Sequence, residues 1–479
     1  MRPPWLLVLS SALLSVVFPA VADLQKRSFA IERVRNPNFT GRNGPQALVK
    51  TYRKFNMALP QGLAEALEAR RKKDAMAAAE QRGHWASRYT DRREPADDVS
   101  TGLRLGNEKE NGNGDRNRLG HRIGNGQGRQ ARRRTGRLLA SQNGNGTTGK
   151  QVGSVPAVSD RNEVEFLSPV TIGGQTLYLD LDTGSSDLWV MTTQLDPATT
   201  ANHHVYNASR SATFRPLSGA AFRISYGDGS GAQGTVGIDV VDVGGASFAH
   251  QAIELATAVS PQFLRDQGND GILGLAFSHI NSVRPRPQRT FLDNIHSQLA
   301  EPVFTADLRK GAPGTYTFGR IDPSRFRGPL AWIPVNTTGG FWQFASECFA
   351  VGRDGEAQTS TPGGQAIVDT GTTLLLADAK VVDAYYAKVP GAWQDVIAGG
   401  YTFPCNAALP DLALDVGGVY TATVSGSDIN FATVGQGICF GGVQATAPGQ
   451  RAIYGDIFLK SQYVVFNAGN NSLGMAPHA

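Results

Sequence analysis

The sequence predicts an all-β protein built as two related lobes, and three observations carry that prediction. From about residue 160 onward, apolar and polar residues alternate, and glycine pairs between the alternating runs suit hairpin turns. Helical stretches are few and short. One short motif, together with a partner element downstream of it, occurs twice.

The stretch "VEFLSPVTIGGQTLYLDLD" alternates on both sides of Gly173-Gly174 and reads as a hairpin. "FRISYGDGSGAQGTVGIDVVDVGG" repeats the scheme, with an alternating strand, a glycine-rich tip over 227–231 and a returning strand. Short helices are expected only around 290–298 and 378–388.

The region upstream differs in composition. Residues 1–149 hold 27 Lys+Arg against 13 Asp+Glu, whereas residues 150–479 hold 19 against 28, so a basic segment precedes an acidic body. The overall charge of +5 therefore gives no argument for a nucleic-acid partner. Arg2, an apolar run from Trp5 to Phe18 and the small-residue pattern at Ala20 and Ala22 read as a signal peptide over 1–22. That run is shorter than the roughly 20 apolar residues of a membrane span. The expectation is a secreted, extracellular protein with no membrane association.

Residues 28–60 mix aromatic, apolar and basic side chains and have enough apolar surface to dock on something, while 61–80 suit an Ala-rich charged helix. Residues 81–149 carry almost no large apolar residues and are expected to be disordered, with a multibasic run at Arg132–Arg134 open to a processing peptidase. Of three cysteines, Cys405 and Cys439 lie 34 residues apart in one strand-rich region and are expected to pair. Cys348 is left over, a small hydrophobe if buried. Sequons at Asn207, Asn336 and Asn470 would be surface positions if glycosylated.

The duplication joins "LDLDTGSSDLWV" to "AIVDTGTTLLLA", so that Asp182-Thr183-Gly184-Ser185 matches Asp369-Thr370-Gly371-Thr372. Each is followed by an apolar-apolar-Gly element, at Gly274 and at Gly455. The lobes are therefore expected at 150–330 and 331–479. Two similar lobes would bring equivalent loops together across a pseudo-twofold axis. Two carboxylates held about 3 Å apart cannot both ionise, so one can serve as general base on a water while the other, protonated, polarises a carbonyl. Gly184 and Gly371 would let backbone amides approach the carboxylates, Ser185 and Thr372 would donate hydroxyls, and Thr183 and Thr370 would brace the loops across the lobe junction.

Taken with "YGDGSGAQG", "NDGILGLAF", "GFWQF" and "YGDIFLKSQYVVFN", these motifs resemble the pepsin-like aspartic peptidases, and among them the fungal secreted aspergillopepsin and penicillopepsin group, over residues 160–479. The resemblance implies the bilobal pepsin-like acid protease fold, two β-barrel-like lobes with an active-site cleft between them. It implies a monomeric acid endopeptidase acting on protein or peptide substrates, sensitive to pepstatin-type inhibitors and needing no cofactor or metal. Asp182 and Asp369 become the catalytic pair. Tyr226 would sit on a flap hairpin with its hydroxyl toward Trp189, and Gly227 and Asp228 would present flap backbone to the substrate. Phe263 and Ile272 match positions lining the pocket for the residue before the cleaved bond, although ordinary core packing is the alternative for both. Asp228 is open to two readings, a partner for a substrate Lys or a solvated turn residue.

Residues 28–60 resemble the family's prosegment, implying a propeptide over 23–149 and a zymogen in which Lys50, Arg53 or Lys54 is placed against the carboxylate pair. Phe166 stands where many relatives carry Tyr, which removes a hydroxyl near the active-site floor. Two other function classes compete with this one. An inactive pepsin-like binding or inhibitor protein would usually lack one Asp-Thr-Gly or the flap Tyr, and this chain keeps all three. A glycosidase would need sugar-stacking aromatic clusters that are missing near both Asp residues.

Overall fold

The computed structural model describes residues 42–69, 72, 150–159, 165–197, 200–226 and 230–479. The expected signal peptide, the 81–149 stretch with Arg132–Arg134, and the hairpin-tip residues Gly227 and Asp228 lie outside the described residues. Within them the regular structure of the body is mostly strand, with helices no longer than the eight residues of Ala379–Tyr386. The two helical expectations are met by Phe291–Ile295, continued by a 3-10 turn, and by Ala379–Tyr386. At the first hairpin Ile172 pairs directly with Gln175 across Gly173 and Gly174, whose φ values are 53° and 78°. That left-handed pair is the two-residue turn glycine supplies without steric cost.

The sequence duplication is a duplication of topology. In the first lobe Gln175–Asp182 runs parallel to Gly271–Gly274, which is antiparallel to Leu188–Met191, which is parallel to Ala246–Val259. In the second, Gln365–Val368 runs parallel to Ala452–Tyr454, which is antiparallel to Leu375–Ala377, which is parallel to Val443–Ala445. Gly274 and Gly455 occupy the same place in each copy. A Cβ on Gly274 would lie 2.6 Å from the Asp187 nitrogen, and one on Gly455 would lie 2.1 Å from the Thr372 carbonyl oxygen. Only glycine lets the two segments close over the Asp-Thr-Gly loops.

The lobes share a sheet. Ala331–Pro334, Ser472–Pro477, Gln462–Asn467, Val303–Asp307, Gly314–Phe318 and Gly153–Ser159 pair side by side, so three strands from beyond position 330 join three from before it through the pairing of 462–467 with 303–307. Phe304 stacks on Phe466 at 4.4 Å and on Phe318 at 5.5 Å, filling the space above this sheet. Cys405 and Cys439 are bonded. Cys348 is exposed, so the small-hydrophobe role, which would hold only for a buried thiol, does not apply.

Upstream, Gly44–Lys54 forms a helix capped by the Asn43 side chain. Its apolar face lies on the second lobe. Gly44 packs so closely on Phe440 that a Cβ would stand 2.2 Å from the ring, and the Tyr52 hydroxyl donates to the Ala445 carbonyl at 2.6 Å. Leu48, Tyr52, Met57 and Leu63 are buried, each contributing roughly 1.5–3 kcal/mol of apolar burial to docking. Residues 61–69 continue as a second helix. The same helix that docks the segment thereby aims its last residue, Lys54, at the junction of the lobes.

Candidate active site

The two Asp-Thr-Gly loops meet at that junction. Thr183 and Thr370 exchange hydrogen bonds, each backbone N–H donating to the other's hydroxyl at 3.0 Å. The Thr183 hydroxyl then donates to the Val368 carbonyl at 2.9 Å, and the Thr370 hydroxyl donates to the Leu181 carbonyl. The expected brace is therefore a reciprocal clasp made of four buried hydrogen bonds. Around each carboxylate the pattern repeats: Gly184 N–H donates to Asp182 Oδ1 at 2.8 Å and Ser185 Oγ to Oδ2 at 2.7 Å. Gly371 N–H donates to Asp369 Oδ1 at 3.0 Å, and Thr372 Oγ1 donates to Asp369 Oδ2.

Gly184 and Gly371 have a second role. A Cβ on Gly184 would lie 2.4 Å from Asp369 Oδ1, and one on Gly371 would lie 2.4 Å from Asp182 Oδ1. Any side chain at either position would wedge the carboxylates apart. Both Asp residues are essentially inaccessible, at 1% and 0% exposure.

Of the three basic candidates, Lys54 is the one that reaches the pair. Its Nζ stands 2.8 Å from Asp182 Oδ1 and 2.9 Å from Asp369 Oδ2, with the lysine side chain 4% exposed. Burial raises the Asp182 pKa, but the Lys54 charge and hydrogen bonds from Asp369, Lys54 and Ser185 outweigh it and hold the carboxyl below the ordinary range. For Asp369 burial dominates and, with the neighbouring Asp182 charge, pushes its pKa up despite Lys54. At acid pH, below the raised Asp369 value of about 6, the pair thus carries one negative charge opposite one ammonium.

Tyr226 is buried at the base of the hairpin formed by Arg215–Ser225 and Gly231–Val243, and its hydroxyl accepts from Trp189 Nε1 at 2.9 Å. Phe263 packs edge-on against Trp189 and Tyr226, with centroids 4.7 and 5.7 Å away, and Ile272 joins the same cluster. This small cluster is separate from the main core and lies on the first-lobe side of the dyad.

A model of the family described as "Eukaryotic aspartyl protease" matches residues 165–478. The chain belongs to the eukaryotic aspartyl protease family. It is 50% identical to penicillopepsin-1 of Penicillium rubens over 68% of this chain and 81% of that relative. It is 47% identical to aspergillopepsin-1 of Aspergillus oryzae over 68% and 82%, and 47% identical to penicillopepsin-2 of Penicillium janthinellum over the same shares. This aspartyl protease is an aspartic-type endopeptidase with the bilobal all-β fold of its family.

Several polar residues beside the dyad escaped the sequence reading. Asp180, on the same face of its strand as Asp182, is buried, and burial together with the Asp182 charge pushes its pKa up to about 8. Asp456 follows Gly455 and is buried with both carboxylate oxygens outside any hydrogen bond, which keeps it protonated well above the usual carboxylate range. The Tyr316 hydroxyl is buried without a hydrogen-bond partner among the described residues, and burial pushes its pKa well above the ordinary value. "LDLD" contained the signal for Asp180, since alternation places its two acids on one face. His203 and His204 both face Asp270, whose carboxylate accepts from the Tyr178 and His204 backbone at 2.8 Å. Among the described residues no group of three or more potential metal ligands is gathered, and no helix is long and apolar enough to cross a membrane.

Proposed function

We propose that this protease hydrolyses peptide bonds at acid pH through Asp182 and Asp369, and that it is made as a secreted zymogen held inactive by Lys54. The observation that carries the reading is the single ammonium seated between two carboxylates at 2.8 and 2.9 Å. Once the segment bearing Lys54 is removed, a water molecule can take its place. One carboxylate accepts a proton from that water as its oxygen attacks the substrate carbonyl carbon. The other, protonated, donates to the carbonyl oxygen, giving a tetrahedral diol; proton transfer to the amide nitrogen then breaks the C–N bond. The amides of Gly184 and Gly371 and the hydroxyls of Ser185 and Thr372 hold the carboxylates so that little reorganisation accompanies these transfers.

Tyr226, Gly227 and Asp228 form the flap over the substrate in this reading, and Phe263 and Ile272 favour a large apolar residue before the cleaved bond. Asp228 adds acceptance of Lys there. A mature enzyme beginning near residue 150 follows from cleavage upstream of the first body strand. The intact pair of Asp-Thr-Gly loops and the Trp189–Tyr226 hydrogen bond argue against the inactive-scaffold alternative. The test is to acidify purified full-length protein and follow denatured haemoglobin digestion with and without pepstatin. Pepstatin-blocked digestion with loss of the upstream segment is expected, and a protein that stays full length and inert at acid pH would overturn the proposal.

A further inference from the structure

Besides the dyad, the first lobe holds a second joined pair of buried acids, Asp187 and Glu254, at 2% and 1% exposure. One amide connects them. Asn281 Nδ2 donates to Asp187 Oδ1 at 3.2 Å and to Glu254 Oε1 at 3.0 Å, and also to the Ser186 carbonyl at 3.0 Å. The amide cannot be turned the other way, because Asn281 Oδ1 accepts from the Val283 and Gln288 backbone at 3.1 and 2.8 Å. Two N–H bonds thus serve three acceptors. Glu254 Oε2 is buried with no hydrogen-bond partner among the described residues.

Strand register places this pair beside the hairpin residues. Glu254 lies on Ala246–Val259, opposite Trp189 on one side and Val236 on the other. Its neighbours Ile253 and Leu255 turn into the main core, whereas Ala252, Ala256 and Trp189 belong to the small cluster with Tyr226 and Phe263. Alternation therefore directs the Glu254 carboxyl to the face of that cluster. Among the described residues neither acid makes an ion pair. Arg284 attracts Asp187 but is itself exposed, and its guanidinium donates to the Asn281 and Val283 carbonyls at 3.2 and 3.0 Å. Tyr226, the other titratable group acting on the pair, stays neutral because burial raises its hydroxyl well above the ordinary value. Two carboxylates that share one amide without a cation cannot both ionise. Burial, and then the Asp187 charge, push the Glu254 carboxyl well above its usual range, and burial raises Asp187 against the Ser282 N–H that donates to it at 2.8 Å.

Resting on the proposed function, in which Tyr226 closes over the substrate, we propose that Glu254 is a positioning residue: its protonated carboxyl, held with Asp187 on Asn281, keeps Trp189 in place against Tyr226, and its ionisation sets the upper pH at which the protease stays active. Trp189 is the link, since its Nε1–H donates to the Tyr226 hydroxyl at 2.9 Å and its strand pairs with that of Glu254. The sign of the pH effect follows from where the proton is held. The folded protein keeps a proton that the unfolded chain releases near about pH 4.3, so the site favours folding fully below that pH. Above it the folding equilibrium falls about tenfold for each pH unit, until Glu254 ionises. Two anions then repel inside an apolar cluster, and the strand carrying Trp189 loosens from its neighbour.

The test incubates acid-processed enzyme over a series of pH values from about 5 to about 8, returns it to acid pH and reads residual cleavage of a quenched fluorescent peptide, each protein scaled to its own activity before incubation. Glu254→Gln keeps an acceptor for Asn281 and offers Asp187 a donor without a charge. The pH of half-inactivation should rise by about one unit in E254Q. Asp187→Asn removes the other charge of the pair and should move the midpoint the same way, which keeps the test available if E254Q does not fold. A midpoint at or below the wild-type value in whichever variant folds overturns the inference, because Glu254 and Asp187 would then only pack and the limit would belong to other acids. Wild-type enzyme that leaves the peptide uncut at acid pH would instead remove the peptidase reading beneath it.

Discussion

Replacing Lys54 with Met tests the latch. Met keeps most of the side-chain length and its apolar stem while removing the charge. In the structure that charge is buried and contacts both carboxylates, at 2.8 and 2.9 Å. Deleting one partner of such a buried pair costs roughly 3–5 kcal/mol, because an anion is left behind without compensation. Proton uptake by the dyad returns part of that, so the docked state weakens by between about tenfold and several thousandfold. The rest of the docking surface, with Leu48, Tyr52, Met57 and Leu63, remains in place. The assay is a quenched fluorescent peptide added to purified full-length protein at a pH where the wild type stays latent. The variant should cleave without the wild-type lag, and pepstatin should block it. A variant as latent as the wild type would refute the assignment of Lys54 as the inhibitory contact.

The pH dependence of release has a definite sign. Asp182 is held below its ordinary value by Lys54 after burial is overcome, so its attraction for the ammonium is fully present above about 3.9 and is lost as the pH falls below that. Asp369, raised by burial, is already protonated in that range and adds no anion. Wild-type release should therefore steepen below about pH 4, and K54M should lack that step.

Three further outcomes follow from the geometry. Thr370→Val leaves the Thr183 N–H and the Leu181 carbonyl without their partner; at roughly 1–3 kcal/mol for each buried orphan, the melting temperature falls, and kcat falls more than KM rises. Trp189→Phe takes the Nε1–H from the buried Tyr226 hydroxyl and should lower kcat/KM about tenfold, with a far smaller effect from Trp189 changes that retain an N–H donor, such as incorporation of 5-fluorotryptophan. Cys405→Ser with Cys439→Ser opens a loop spanning 34 residues and should cost about 3–4 kcal/mol in chemical denaturation, leaving the pH profile of kcat unchanged.

Much of the fold was legible because alternation and turn chemistry are local. Gly173-Gly174 specified its hairpin, and the repeated Asp-Thr-Gly with its downstream glycine specified the duplicated topology that the strand pairings reproduce. The clasp between Thr183 and Thr370 was legible for the same reason, once two equivalent loops were brought to one axis. The sheet shared by both halves was not, because pairing of 462–467 with 303–307 joins residues far apart in sequence that carry no mutual signal. Which lysine would reach the dyad depended on the angle at which the 44–54 helix docks, fixed by the contact of Gly44 with Phe440 and of Tyr52 with Ala445. The acids around Asp180 and Asp456 were invisible as a group, since only folding places them side by side. The exposure of Cys348 was open in the sequence because strand periodicity does not say which face a short edge segment turns to solvent.

The central claim is that Asp182 and Asp369 act as one unit. The measurement that tests it most directly is kcat/KM of processed Asp182→Asn and Asp369→Asn with a pepstatin-sensitive peptide, alongside circular dichroism to establish that each variant is folded. Each substitution should cost at least about 10²–10⁴-fold, with the double variant scarcely worse than either single one. A folded single variant with near wild-type kcat/KM would contradict the account.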